Sequence, residues 1–152
     1  MEDLYAGRGA DPDEMYHQMK GRMDAEGLPY GKRTHTYNSR KAQELGKWAD
    51  TIENGELLHD ALYRAYFVDA KNIGDIEILV KLAETNSFDG DVIRKILLDG
   101  EFSAAVDEDW AKSRSYGVTG VPTFVAGGYG VVGAQPYEAL EKLMKEVGAE
   151  PI

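Results

Sequence analysis

The chain has 152 residues, 43% hydrophobic and 29% charged, with a formal net charge of −10, the balance of a globular domain able to bury a core. The acidic balance excludes a nucleic-acid surface, which needs clustered Lys and Arg, and makes anionic membranes poor partners. There is no cysteine, which excludes disulfides, thiolate metal sites and cysteine nucleophiles within the chain.

No apolar run approaches bilayer length, and Met1 to Tyr5 lacks the basic-then-apolar pattern of a leader, so the sequence predicts a cytoplasmic location and no membrane contact. Met1 to Ala10 reads as a polar loop or frayed end. Asp11 with Pro12 predicts a helix start, and Glu14 completes a pattern like a capping box. Met15, Met19 and Met23 fall on one face of this helix and are expected in the core, and Gly27 ends it. Leu28 to Tyr37 reads as a linker. Asn38 or Ser39 caps a second helix with Leu45, Trp48, Ala49 and Ile52 as its apolar positions, broken at Gly55. A third helix over about 56–68 has a broad apolar face and is expected at the centre. Asp75 caps a fourth helix, Phe88 to Asp91 opens a fifth, and a sixth spans about 101–116 with Phe102, Val106 and Trp110 expected in the core. No internal repeat or low-complexity segment interrupts the series.

The pattern changes at Gly117-Val118-Thr119-Gly120-Val121-Pro122-Thr123-Phe124-Val125. Two glycines mark a loop, proline leads a strand because it cannot donate within a ladder, and Thr-Phe-Val favours extended backbone. Gly127-Gly128 predicts a tight reversal into a second strand from Tyr129, and Pro136 opens a last helix with Leu140, Leu143 and Val147 as its stripe.

These C-terminal residues, with Asn38 to Leu45 and Ala65 to Asp75 in the same order, resemble DsbA-like thioredoxin-fold proteins over nearly the whole chain. The resemblance is to the FrnE-type oxidoreductase branch, beside the 2-hydroxychromene-2-carboxylate isomerases and kappa-class glutathione transferases. It implies an α/β thioredoxin-like fold of DsbA type that is here mostly α, and one incomplete domain over 1–152. A helical insertion would occupy about 11–115, and a C-terminal hairpin and helix about 116–152. The strand–helix–strand that carries Cys-x-x-Cys in complete members is missing, so the chain is expected to begin late relative to them.

By residue type alone the Val121–Pro122 bond is trans, as most are; the resemblance implies cis, with the Val121 backbone turned outward to pair with an extended peptide or glutathione. The implied substrate-binding positions are Thr119, Val121 and Pro122, with Asn38, Asn72 and Ile73 facing the groove in relatives. For Asn38 a plain helix cap is the competing reading. Gly133-Ala134-Gln135-Pro136 departs from the transferases, which carry an Asp-Arg type pair near this point, and this favours the FrnE branch. His17, His35 and His59 have no metal-ligand spacing, no serine lies in a nucleophile elbow, and Asp107, Glu108 and Asp109 read as a solvated face. No catalytic residue, metal or resident cofactor is expected. Three functions follow: an oxidoreductase-family chain inactive alone in thiol–disulfide exchange, a cysteine-free peptide- or glutathione-binding or isomerase-like module, and a homo-oligomer closed by pairing of the hairpin edge.

Overall fold

The computed structural model describes residues 11–149, which form two compact units, one ending at Val106 and one beginning at Asp107. A single helix, α6 (Ser103–Ser115), runs through the division. The expected loop at Met1 to Ala10 lies outside the described residues.

The first unit holds α1 (Pro12–Ala25), α2 (Arg40–Ala49), α3 (Gly55–Phe67), α4 (Ile76–Thr85) and α5 (Gly90–Asp99). Local chemistry sets most of their starts. The Asp11, Asp75 and Asp89 carboxylates each accept backbone N–H groups of the following turn, at 2.9 Å for the nearest. Helices α2 to α5 pack around Leu45, Leu58, Leu79, Ile93 and Leu97, all at 0% exposure. Burying each of these side chains stabilises the unit by about 1.5–3 kcal/mol before entropy is subtracted. Trp48 meets Phe88 edge-on at 5.9 Å, closing one side of the cluster.

Several burial expectations are corrected. Met15 and Met19 are each 41% exposed, and α1 buries no residue. This helix is attached through the segment after it: Leu28 N–H closes on the Met23 carbonyl, and Gly31 N–H donates to Phe67 O at 2.8 Å. A Cβ at Gly31 would lie 2.0 Å from the Val68 carbonyl oxygen, so the segment lies against the end of α3 and is not a free linker. Trp110 is 50% exposed, and in α6 only Val106 is buried. Spacing located these side chains on a face, and each stays 41–50% exposed. Gly55 is no breaker either. It is the first residue of α3, and a Cβ there would sit 1.9 Å from the Ala49 carbonyl oxygen.

The second unit contains β1 (Thr123–Ala126), β2 (Tyr129–Val132) and α7 (Tyr137–Glu146). The strands pair antiparallel, Thr123 with Val132 through Ala126 with Tyr129. Gly127 and Gly128 have φ of +55° and +84°, the tight mirror-image turn that needs positive φ at both central positions. Helix α7 buries Leu143, and Val147 just beyond it lies against the turn.

Candidate functional site

Thr119, Val121 and Pro122 lie on the loop that leads into β1. The peptide bond between Val121 and Pro122 is cis. The Val121 side chain is 89% exposed. The loop is held at both ends by backbone acceptors. Thr123 Oγ1 donates to Gly120 O at 2.6 Å, and Gly133 N–H donates to Pro122 O at 2.8 Å.

That second bond fixes the phase of the hairpin. Pro122–Gly133, Phe124–Val131 and Ala126–Tyr129 are the hydrogen-bonded pairs, so the N–H and C=O of Thr123 and Val125 point to the outer edge of β1. The sheet has two strands, and this edge has no strand partner among the described residues. Apolar side chains flank it: Phe124, Val125, Tyr129 and Val132 are 38–58% exposed. An unpaired edge with apolar surface is a template for an added strand.

Asn38, Asn72 and Ile73 belong to the first unit and come together there around Gly74. Asn72 Oδ1 accepts Gly74 N–H at 3.0 Å, and a Cβ at Gly74 would stand 2.7 Å from the Asn38 carbonyl oxygen. Asn38 Oδ1 accepts Arg40 N–H at 2.9 Å, which is the capping role, although Ser39 is the formal cap residue of α2. Ile73 is 7% exposed and part of the core cluster, so its side chain is a packing element. Both asparagine carbonyls are thus engaged by backbone.

Among the described residues no acid–base constellation emerges from the titratable groups. The hydrogen bond from Arg94 holds the Glu77 carboxyl below its usual range, the bond from Lys32 does the same for Asp13, and Asp99 holds the Lys95 ammonium above its usual range. These are exposed surface pairs, which contribute little to stability. His59 Nε2 lies 2.9 Å from Asp50 Oδ1, and among the described residues no three metal-ligating side chains converge. Sequence reasoning passed over one group, the buried carboxylate of Glu44, because a glutamate within a charged helical segment carries no local sign of burial.

Residues 10–145 match the family described as DSBA-like thioredoxin domain. The structure is similar to that of a probable DsbA oxidoreductase from Streptomyces coelicolor, with a TM-score of 0.81 and 29% sequence identity, over 99% of this chain and 68% of that one. The chain is also 29% identical over 102 residues to the uncharacterized protein YwbO of Bacillus subtilis, across 65% of this chain and 50% of the relative. It therefore spans half the length of that curated relative. Among the described residues no helix is long and apolar enough to cross a membrane.

Proposed function

Because this chain belongs to the DSBA-like thioredoxin domain family, we propose that it acts as a polypeptide-holding module of that family, gripping an extended segment along the outer edge of β1 beside Val121 and Pro122. Thiol–disulfide exchange needs an attacking thiolate, and the chain contains no cysteine. Holding, without exchange, is the part of the family's work these residues can do. The observation that carries the reading is the outer edge itself: two outward backbone units, at Thr123 and Val125, next to an 89% exposed Val121. Glutathione, a short extended peptide, is a smaller ligand of the same kind. Within the family, the Gly133-Ala134-Gln135-Pro136 stretch supports placement beside the FrnE-type branch.

The edge offers a sharp test. Val125→Pro removes an N–H that the hairpin ladder does not use, whereas Phe124→Pro removes one that it does. Titration of the chain with a seven-residue strand-forming peptide, followed by amide chemical shifts, is expected to saturate and to move Thr123 and Val125. Val125→Pro is expected to weaken binding at least about tenfold, the loss of one or two backbone hydrogen bonds. Absence of saturable binding, or equal binding by Val125→Pro, would overturn the reading. In an insulin-reduction assay the pure chain is expected to give no turnover above the uncatalysed rate, and turnover would show that the chemistry does not require a thiolate in this chain.

A second reading uses the same edge for a second copy of the chain, and the exposed Phe124, Val125 and Val132 favour it. Two hairpins paired about a two-fold axis would bury those side chains and satisfy both edges. Sedimentation at micromolar concentration then gives a dimer that Val125→Pro converts to monomer. A monomeric wild-type chain eliminates the dimer and leaves the edge to the peptide.

A further inference from the structure

The helical unit contains a second concave feature that the hairpin reading does not use. A groove of about 490 Å³ lies between α1 and α3, lined by Met19 and Met23 on one side and Tyr63 and Phe67 on the other. Leu28 and Tyr30 close one end. This volume lies within the range of small-molecule sites, about 300–1,000 Å³. The lining is apolar and adaptable, because methionine side chains reshape readily around a guest and make favourable contacts with ring edges.

Its aromatic rings are ordered. Tyr30, Phe67 and Tyr63 follow one another at centroid distances of 6.4 and 6.1 Å, with interplanar angles of 25° and 18°. Offset, near-parallel rings present flat faces in one orientation, which selects a planar guest over a globular one. The charges at the rim are unequal. Arg64 is held by Asp60, with Nε to Oδ2 at 2.6 Å. Arg33 stacks on Tyr66 and Phe67, its guanidinium carbon 4.2 and 5.0 Å from the ring centroids. Its hydrogen-bond partner is the neutral Tyr30 hydroxyl at 3.4 Å, and no carboxylate pairs with it among the described residues. A guanidinium fixed by two rings, with donors left over, is preorganised for a bidentate carboxylate. In a chain of net charge −10, a half-buried Arg with no acidic partner among the described residues, beside an apolar groove, is a local exception.

We propose that this groove binds a planar aromatic carboxylate, with the ring system between the methionines of α1 and the rings of α3 and the carboxylate on Arg33. The site lies within the first unit and is independent of the hairpin edge.

The test is calorimetric titration of the full chain with 2-naphthoate and with its neutral isostere 2-naphthalenemethanol. The expected result is saturable one-to-one binding of naphthoate, about tenfold tighter than the alcohol because of the charge-assisted bonds to Arg33. Arg33→Gln is expected to remove that preference, and Met23→Trp, which fills the groove, to remove binding of both. Should Met23→Trp unfold the chain, methyl-labelled methionines give the same information in the wild type. The sequence has five methionines, and naphthoate should shift Met19 and Met23 but not Met144. Four results overturn the proposal: no saturable heat, equal affinity for the two probes, an unchanged preference in Arg33→Gln, or methyl shifts elsewhere. A dimer that Met23→Trp dissolves would also overturn it, because a second copy would then be the occupant.

Discussion

Glu44→Ala is expected to lower the stability of the helical unit by about 2–3 kcal/mol, since removing one member of a buried charge group leaves the others uncompensated. Glu44 is 2% exposed. Its two carboxylate oxygens take different cations, Oε1 the Arg40 Nε at 3.3 Å and Oε2 the Lys41 Nζ at 2.8 Å. Those cations also tie α2 to distant chain. Lys41 Nζ donates to Leu97 O at 2.7 Å, and Arg40 donates to Ser103 O and Oγ at 2.7 and 2.8 Å. Glu44 therefore holds two long side chains in the conformations that bridge α2 to the end of α5 and the start of α6. Arg40 and Lys41 are 25% and 30% exposed, so water relieves part of the loss, which brings the estimate below the range of about 3–5 kcal/mol for fully buried pairs. Urea unfolding followed by far-ultraviolet circular dichroism measures the cost. Glu44→Gln, which keeps the shape and an acceptor, should cost less than half as much. A loss below about 0.5 kcal/mol for Glu44→Ala would mean that the network is a surface pair in energetic terms.

Two glycine-to-alanine substitutions should move stability in opposite directions. Within a helix alanine is intrinsically better than glycine by about 1 kcal/mol. At Gly21, inside α1, a new Cβ meets nothing within 4 Å, so Gly21→Ala should stabilise by about 0.5–1 kcal/mol. At Gly55 the same Cβ would lie 1.9 Å from Ala49 O and 2.7 Å from Ala49 C. Those are backbone atoms at the end of α2 and cannot rotate away. Helices α2 and α3 would have to separate, across a contact that buries Leu45, Ala49 and Leu58. Overpacking of this kind costs about 1–3 kcal/mol or more, which outweighs the propensity gain. Gly55→Ala should therefore melt well below the wild type and Gly21→Ala slightly above it. Equal melting temperatures for the two would show that the α2–α3 junction yields without cost.

The same pair shows where reading the sequence succeeds and where it stops. Asp11, Asp75 and Asp89 could be read as helix starts because a cap bonds only to the next two or three residues. Gly127-Gly128 could be read as a reversal because the positive φ values belong to those two residues. Gly55 resembles any other glycine in the sequence, and only the approach of Ala49 explains it. Met15, Met19 and Met23 have the spacing of a core stripe, yet spacing does not say what lies opposite. The groove beside α1 depends on Tyr30 and Arg33 lying against the end of α3, far along the chain. Trp110 shows the same limit, with half its surface exposed on a face that periodicity assigned to the core.

By itself the sequence determined the order and type of the elements, the absence of any thiol, and the family to which the chain belongs. These follow from bonds and conformations within a few residues, and from motifs that survive as strings. The tertiary structure alone decided that Glu44 is buried, that Ile73 packs in the core, that Thr123 and Val125 present the outer edge, and that Arg33 lies on two rings with no carboxylate partner among the described residues. Each of these depends on residues far apart in the chain, whose approach is governed by close packing and the burial of apolar surface.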